Sequence, residues 1–370
     1  MNSPTANRKK QGSVGVAMSG GVDSSVTAAL LKEQGYEVHG FFMALAQSDL
    51  DQQVARVRRV ADHLGIPLTV VDLALVFQQQ VLDYCSTTYS SGRTPNPCMV
   101  CNTTVKFGRL LEEIIAHGFD YQATGHYVRV VHAEEGASRL LKGKDPNKDQ
   151  SYFLGRLEQR QIVRLRTPLG EYTKAGVYQL AAKIGLKGLH GRESQDVCFL
   201  EGRDMGTYLA ERQNQPPAPG PIVTRDNTII GRHRGLVNFT VGQRRGLGIP
   251  DVSPYYVLGL DVLHNRLIVG KKEDLLRGGL TVRNINWLIG MPPELPQKFT
   301  IKIRYRHRAA TAIIDRAGAE PPGNRLRIRF HTPQGAVTPG QFAVFYQGDE
   351  VIGSGEICDQ EILADGLQEG

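Results

Sequence analysis

The sequence predicts an α/β chain: a doubly wound parallel sheet, then a small β-rich adapter, then a C-terminal β-barrel. Three observations carry this. Apolar runs alternate with stretches of helical spacing up to about Tyr208. A proline-rich segment, QNQPPAPGP (Gln213 to Pro221), then interrupts the pattern. Beyond it the apolar runs are short and separated by turn residues.

Taken in order, Val14 to Met18 is a short β-prone run, and Ser24 to Gln34 (SSVTAALLKEQ) has helical spacing that stops at Gly35. Val38 to Met43 reads as the next strand, Leu50 to Leu64 as a helix closed by Gly65, and Leu68 to Leu73 as a third strand. This β-α-β-α-β rhythm calls for a parallel sheet with helical crossovers. After the border, PIVTRDNTIIGRH, YYVLGLDVLHNRLIVG, KFTIKIRYRHRAATAII and NRLRIRF have all-β texture. The expected division is a polar tail over 1–12, an α/β domain over 13–208, an adapter over 209–279 and a barrel over 280–370.

At 370 residues, 41% hydrophobic and 22% charged, the chain can bury the cores of two or three domains. No run of about 18 apolar residues exists, which argues against a membrane span. The basic, polar start MNSPTANRKKQG lacks the apolar stretch of a secretory signal. Five scattered cysteines (Cys85, Cys98, Cys101, Cys198 and Cys358) are too few for a disulfide framework at this length and read as reduced thiols. A cytoplasmic protein is expected. A net charge of +7 points, weakly, to a polyanionic partner.

Ser19-Gly20-Gly21-Val22-Asp23-Ser24-Ser25 falls between the first strand and the first helix. Ligands of parallel sheets bind at the C-terminal strand ends. Adjacent glycines let backbone N–H groups approach an anion, and the helix N-terminus adds partial positive charge. Ser19, Ser24 and Ser25 can donate to phosphate oxygens, and Asp23 can hold Mg²⁺ against a pyrophosphate. No Gly-Lys-Ser/Thr follows, so this is not a Walker loop. The string resembles the SGGxDS loop of the N-type ATP pyrophosphatases, which split ATP into AMP and pyrophosphate and adenylate an oxygen of their substrate.

Gly92 to Asn102 (GRTPNPCMVCN) is restricted by two prolines and precedes an amphipathic stretch from about Thr103 to Ala116. This spacing puts Cys101 just before a helix N-terminus with Lys106 one turn on, and both features favour the thiolate. Cys198 lies in ESQDVCFL near the end of the α/β region, whereas Cys85 and Cys358 have no helper nearby and read as packing residues.

RTPNPCxxCN, ATGHY (Ala123 to Tyr127), KDQSYFL (Lys148 to Leu154), SQDVCFL and FTVGQRRGLGI (Phe239 to Ile249) follow SGGVDSS in that order. The set resembles the tRNA-specific 2-thiouridylases from about Val14 to Ile357. The resemblance implies ATP-dependent 2-thiolation of the wobble uridine, position 34, of lysine, glutamate and glutamine tRNAs. It also implies a sulfur-relay protein fed by a cysteine desulfurase.

Position by position, it implies that Ala17, Met18, Ser19, Gly20, Gly21, Val22, Asp23, Ser24, Met43 and Gly125 contact ATP. Cys101 would be the nucleophile and Cys198 the persulfide carrier, the two forming a transient disulfide. Asn96, Pro97 and Cys98 would face the target base. His126, Lys148, Asp149, Gln150, Arg304, Tyr305 and Gln341 would contact tRNA. Many members carry aspartate where this chain has Cys98, and the segment after Met43 is shorter here. The extra thiol opens a second reading, in which Cys98, Cys101 and Cys198 ligate three irons of a [4Fe–4S] cluster that delivers sulfide. A different adenylating ligase or amidotransferase acting on a small metabolite is the alternative function.

In FTIKIRYRHR, Phe299, Ile301, Ile303 and Tyr305 alternate with Lys302, Arg304, Arg306 and Arg308, and RLRIRF (Arg325 to Phe330) repeats the pattern. Two strands, each burying an apolar face and showing a basic row, suit a phosphate backbone. Such contacts position a nucleic acid without reading its bases.

Overall fold

The computed structural model describes residues 11–45, 47–186, 197–213, 216–317 and 325–362. The N-terminal tail up to residue 10 and residues 193–196 of the second cysteine string lie outside them.

The first unit is the expected parallel sheet. Strand β1 (Ser13–Ala17) leads through helix α1 (Val22–Glu33) to β2 (Glu37–Ala44), and α2 (Leu50–Leu64) leads to β3 (Leu68–Asp72). Helix α1 begins two residues before the expected Ser24 and ends one before Gln34, while α2 keeps the expected bounds. Gly65 ends α2 in the left-handed conformation at φ 59°, and its amide region bonds back to Ala61 and Asp62. Val14, Val16, Leu31, Val57 and Val60 pack as one core between sheet and helices. Strand β4 (Tyr121–Ala123) pairs with the other edge of β1, and Leu165–Arg166 extends the sheet beyond it. The order is therefore β3-β2-β1-β4 and then 165–166, all parallel. Strand order reverses between β1 and β4, so the crevice at their C-terminal ends is where such a sheet takes a ligand.

After the helix Met205–Gln213, four short strands form a separate sheet in the order 256–261, 266–270, 220–223, 229–233. Its core is Ile222, Phe239, Leu247, Val257, Leu267 and Val269. Strands 276–287, 325–335, 310–316, 297–302, 342–347 and 350–362 then pair in that order, and pairing of 276–287 with 350–362 closes a six-stranded antiparallel barrel.

The barrel is joined to the first unit by more than a linker. A hairpin from the α/β region, Val128–Val131 with Arg139–Lys142, adds to the barrel sheet where Leu141 pairs Glu350. Arg129–Asp349 and Arg139–Glu350 ion pairs, at 2.9 and 2.7 Å, lie along the same seam. Met99, Phe107, Tyr152 and Leu154 share one core with Phe342, Val344 and Tyr346 of the barrel. That core fixes the cysteine-bearing segment against the barrel. Among the described residues no helix is long and apolar enough to cross a membrane.

Candidate catalytic cleft at the sheet switch point

The loop from Met18 to Gly21 leaves the end of β1 at the crevice. Gly20 has φ +70°, and a Cβ there would meet Arg56 and Val57 at 3.0 Å. Gly21 caps α1 with its backbone alone. Ser19 N–H donates to Ser24 Oγ at 3.2 Å, and Ser25 Oγ donates to the Gly21 carbonyl at 2.8 Å. The loop is thus tied down by its own hydroxyls. From the end of β4, Gly125 packs against the first turn of α1, and a Cβ there would stand 2.9 Å from Asp23 and from Ser24 N. Only glycine keeps this approach to the helix N-terminus open, which is the cradle a phosphate group requires. Met43 sits near the end of β2 on the neighbouring strand.

Asp23 is clamped. Lys174 Nζ reaches its two carboxylate oxygens at 2.8 and 2.7 Å, and Tyr127 Oη donates to one of them at 2.8 Å. Lys174 is buried at the start of the helix Lys174–Lys183, capped by Thr173, and its own amide bonds Asp145. Sequence reading missed Lys174. Its only local signal is the Thr-Lys helix start, while its partner lies on α1.

The cysteine segment departs from expectation. The helix begins at Pro97, with Asn96 as N-cap accepting from Met99 N–H at 3.2 Å, and not at Thr103. It continues as a π-helical stretch, Asn102–Arg109, and then as Leu110–Ala116. Cys101 therefore lies inside the helical run, in the second turn, rather than before an N-terminus. Cys98 and Cys198 are exposed and Cys101 partly so, yet the protein around them desolvates their sulfurs. Desolvation pushes the Cys98 thiol up to about 11 and Cys101 up to about 12, and it raises Cys198. Lys106 opposes the shift at all three without overcoming it. The expected standing thiolate at Cys101 is thus corrected: burial outweighs the nearby ammonium.

Cys198 opens a short turn, Cys198–Leu200, whose Phe199 packs on Phe77 and Tyr208. Cys85 and Cys358 are core residues, the latter donating to the Thr281 carbonyl at 3.3 Å. Cys98, Cys101 and Cys198 act on one another electrostatically but do not gather as metal ligands. Among the described residues no group of three or more His, Cys, Asp or Glu side chains is arranged to hold a metal ion.

Barrel residues hold the loop from behind. Gln341 Nε2 donates to the Thr94 and Pro95 carbonyls at 3.1 and 2.7 Å, and its Oε1 accepts from Asn96 Nδ2 at 3.4 Å. Glu356 accepts from Arg93 at 3.4 Å and from Arg283 at 2.8 Å. Pro97 and Asn96 are buried.

Several residues expected to face RNA are engaged internally. The buried Asp149 carboxylate accepts from Gly143 and Ser151 amides and from Ser151 Oγ, which also meets Tyr346 Oη at 3.2 Å. Gln150 Oε1 accepts from Tyr127 N–H at 2.9 Å. His126 stands at the cleft, bonded to Thr124 Oγ1 at 2.8 Å, and burial holds its imidazole neutral. Tyr305 stacks on Phe153 with ring centroids 4.5 Å apart. Lys148 is half-exposed on the same loop.

The basic rows also differ from a plain alternation. Strand 297–302 ends at Lys302, and residues 303–308 turn away from it. Arg304 points inward, donating to the Val241 carbonyl at 2.6 Å and to Thr338 Oγ1, so it bridges adapter and barrel. Arg306 and Arg308 are exposed. Arg325, Arg327 and Arg329 face outward as expected, but Asp315 on the adjacent strand pairs with Arg327 and Arg329 at 3.2 and 2.8 Å. A single-strand reading could not see that acid.

Three family models match the chain: a "tRNA methyl transferase HUP domain" over residues 12–202, a "tRNA methyl transferase PRC-barrel domain" over 207–271, and an "Aminomethyltransferase beta-barrel domain" over 277–357. The chain is 44% identical over 356 residues to the tRNA-specific 2-thiouridylase MnmA of Geobacter metallireducens, covering 92% of this chain and 95% of that one. It is 43% identical to the corresponding protein of Desulfotalea psychrophila, covering 93% and 98%. Identity at this level along nearly both full lengths, together with the phosphate loop and the paired thiols, establishes that the chain belongs to the tRNA-specific 2-thiouridylase family.

Proposed function

We propose that the chain is an ATP-dependent tRNA-uridine 2-sulfurtransferase that thiolates C2 of the wobble uridine, acting in the cytoplasm. The observation that carries this reading is that Ala17 at the end of β1 and Met43 near the end of β2 pack on the same core as Val100, Cys101 and Phe199, which brings the mouth of the phosphate loop and the thiol-bearing segments to one cleft. An adenylating ligase for a small metabolite would leave that arrangement and the basic barrel face unused.

ATP is the first substrate. Its triphosphate would lie on the amides of Ser19 to Ser24, with Met43 and Gly125 beside the nucleoside. Because Lys174 and Tyr127 already hold the Asp23 oxygens, Asp23 would reach a Mg²⁺ ion through water, and an ion held largely by phosphate and water would neutralise charge on the departing pyrophosphate. The uridine C2 oxygen attacks the α-phosphorus, giving adenylated uridine and pyrophosphate. This step makes a poor leaving group into AMP. Cys198, loaded with sulfane sulfur by a donor protein, attacks C2 through its terminal sulfur and expels AMP. Cys101 then attacks the Cys198 sulfur, breaking the S–S bond. The sulfur stays on C2 as the thiocarbonyl, and the two cysteines are left as a disulfide. Hydrogen sulfide released by Cys101 is the alternative nucleophile. Sulfide delivery from an iron–sulfur cluster held on Cys98, Cys101 and Cys198 would be the competing mechanism within the same activity.

In this reading the exposed Cys98 borders the splayed base on a turn shaped by the buried Asn96 and Pro97, His126 and Lys148 line the approach of the anticodon arm, and Asp149, Gln150, Tyr305 and Gln341 support that wall from inside. Arg304 contributes by holding adapter to barrel. Segment 13–208 does the chemistry, 209–279 spaces the units, and 280–370 carries the RNA backbone.

The test is nucleoside analysis of an unmodified transcript with a wobble uridine, incubated with protein, Mg·ATP and a persulfide donor. The proposal expects 2-thiouridine at position 34 and none when position 34 is cytidine. Pyrophosphate release that ignores the tRNA, with no thiolated nucleoside, would refute it.

A further inference from the structure

Cys98 is a third thiol in a two-thiol reaction. It shares one helical turn with Cys101, three residues on, in the helix Pro97–Cys101. Residues so spaced are neighbours, with Cβ atoms about 5–6 Å apart. Their Cα separation on such a turn falls inside the range a disulfide spans, about 4.4–6.8 Å, and the Cβ atoms must close to about 3.5–4.5 Å for the bond to form, which the turn supplies by a local adjustment. Asn96 and Gln341 pin the start of this turn, so the two thiols stay adjacent in every state in which the helix persists. Cys198 sits on a different segment and is exposed, as a residue that must meet a donor protein should be.

Resting on the sulfurtransferase reading above, we propose that Cys98 is a further catalytic residue, which takes over the disulfide left by sulfur transfer. Its thiolate attacks the Cys101 sulfur of the Cys101–Cys198 bond. A Cys98–Cys101 bond forms, the Cys101–Cys198 bond breaks, and Cys198 leaves as a thiolate that takes up the proton lost from Cys98. The exchange moves no net electrons and needs no outside oxidant. Cys198 is thereby free to be reloaded while the oxidised pair awaits reduction.

The direction of exchange follows from the thiols' surroundings. In exchange among thiols the less basic sulfur is the better leaving group, and the more basic ones stay in the disulfide. Desolvation raises Cys101 and Cys98 furthest, to about 12 and about 11, and raises Cys198 less. Lys106 acts on all three and steadies whichever sulfur carries the charge. Family members with aspartate at this position would lack the exchange and would keep Cys198 tied up until an external thiol arrives.

The test uses the full chain without reductant. Wild type, Cys98→Ser and Cys98→Asp are loaded anaerobically with inorganic polysulfide, desalted, and given Mg·ATP and wobble-uridine transcript. A parallel set receives neither ATP nor RNA. Samples are trapped with N-ethylmaleimide and mapped by mass spectrometry. Residues 94–106 form one tryptic peptide holding both Cys98 and Cys101. In wild type most of that peptide should lose two hydrogens and resist alkylation, with Cys198 alkylated. In both variants a Cys101–Cys198 cross-link should replace it, and repeated turnover at limiting reductant should fall severalfold. A wild-type map dominated by Cys101–Cys198, with Cys98 alkylated, would overturn the proposal. If 2-thiouridine fails to form, the sulfurtransferase reading is at fault, and the RNA-free set still decides the exchange.

Discussion

Lys174 Nζ stands 2.7 and 2.8 Å from the two carboxylate oxygens of Asp23, joining the start of one helix to the phosphate loop at the start of another. Both side chains are at least partly buried, and Tyr127 adds a third bond to the same carboxylate. The pair sets the loop before any nucleotide arrives. A charge-assisted bond in such a place is worth about 1.5–3 kcal/mol. Lys174→Met should therefore weaken ATP binding by about ten- to a hundredfold on that scale, and Lys174→Arg less. Equilibrium dialysis with labelled ATP would measure both; unchanged affinity in Lys174→Met would remove the pair from the binding site.

Gly125→Ala probes the same crevice by shape. Its added methyl would lie 2.9 Å from the Asp23 backbone and Ser24 N. ATP-dependent pyrophosphate release should fall sharply while the barrel's melting transition stays in place. Retention of full activity would show that β4 does not border the nucleotide.

Gln341 ties the barrel to the carbonyls of Thr94 and Pro95. Gln341→Ala leaves those part-buried acceptors without a donor, at a cost of about 1–3 kcal/mol. The loss should loosen the base-facing turn. The expected signature in steady-state kinetics is a lower kcat for thiolation with the KM for ATP unchanged. A change in the ATP KM alone would place Gln341 elsewhere in the mechanism.

On the barrel, Arg306 and Arg308 are exposed and have no ion pair among the described residues, whereas Arg327 and Arg329 are held by Asp315. Each phosphate contact adds about 0.7–0.9 to the slope of log affinity against log salt. Replacing Arg306 and Arg308 by Ala should flatten that slope for tRNA by roughly 1.4–1.8, and replacing Arg327 and Arg329 by less. Filter binding across a salt series tests the order, and the reverse order would move the RNA path to the other strands.

The Cys101 thiol, pushed up to about 12, is protonated near neutrality. The thiolate fraction rises with pH until that value is reached, so alkylation of Cys101 by iodoacetamide should climb about tenfold per unit from pH 7 to 9. Lys106→Met removes the opposing charge and should slow labelling further, with Lys106→Arg restoring it. A plateau below pH 8 would contradict the buried, protonated thiol.

Much of the α/β unit was legible because its signals are local. The glycine after α2, the phosphate loop between β1 and α1, and the apolar runs of β1 to β3 each declare themselves within a few residues. The start of the cysteine helix was legible in principle, since Asn96 before Pro97 is a cap followed by an N1 proline, but two prolines read more readily as a loop. The π-helical stretch after Cys101 has no such signal, because it depends on what packs around it. Partners far apart in sequence were invisible for the same reason. Lys174 on Asp23, Asp315 beneath two arginines, and Arg304 turned toward the adapter all arise from how strands and helices are brought together. Burial likewise decided the thiols against the charge that the spacing of Lys106 suggested.

The central claim is that one cleft adenylates uridine and then uses two cysteines to replace its oxygen. The most direct measurement is a single turnover on wobble-uridine tRNA that follows pyrophosphate and 2-thiouridine together in wild type, Cys101→Ser and Cys198→Ser. The account predicts tRNA-dependent pyrophosphate release in all three and 2-thiouridine only in wild type. Thiolation at the wild-type rate in either variant would contradict it.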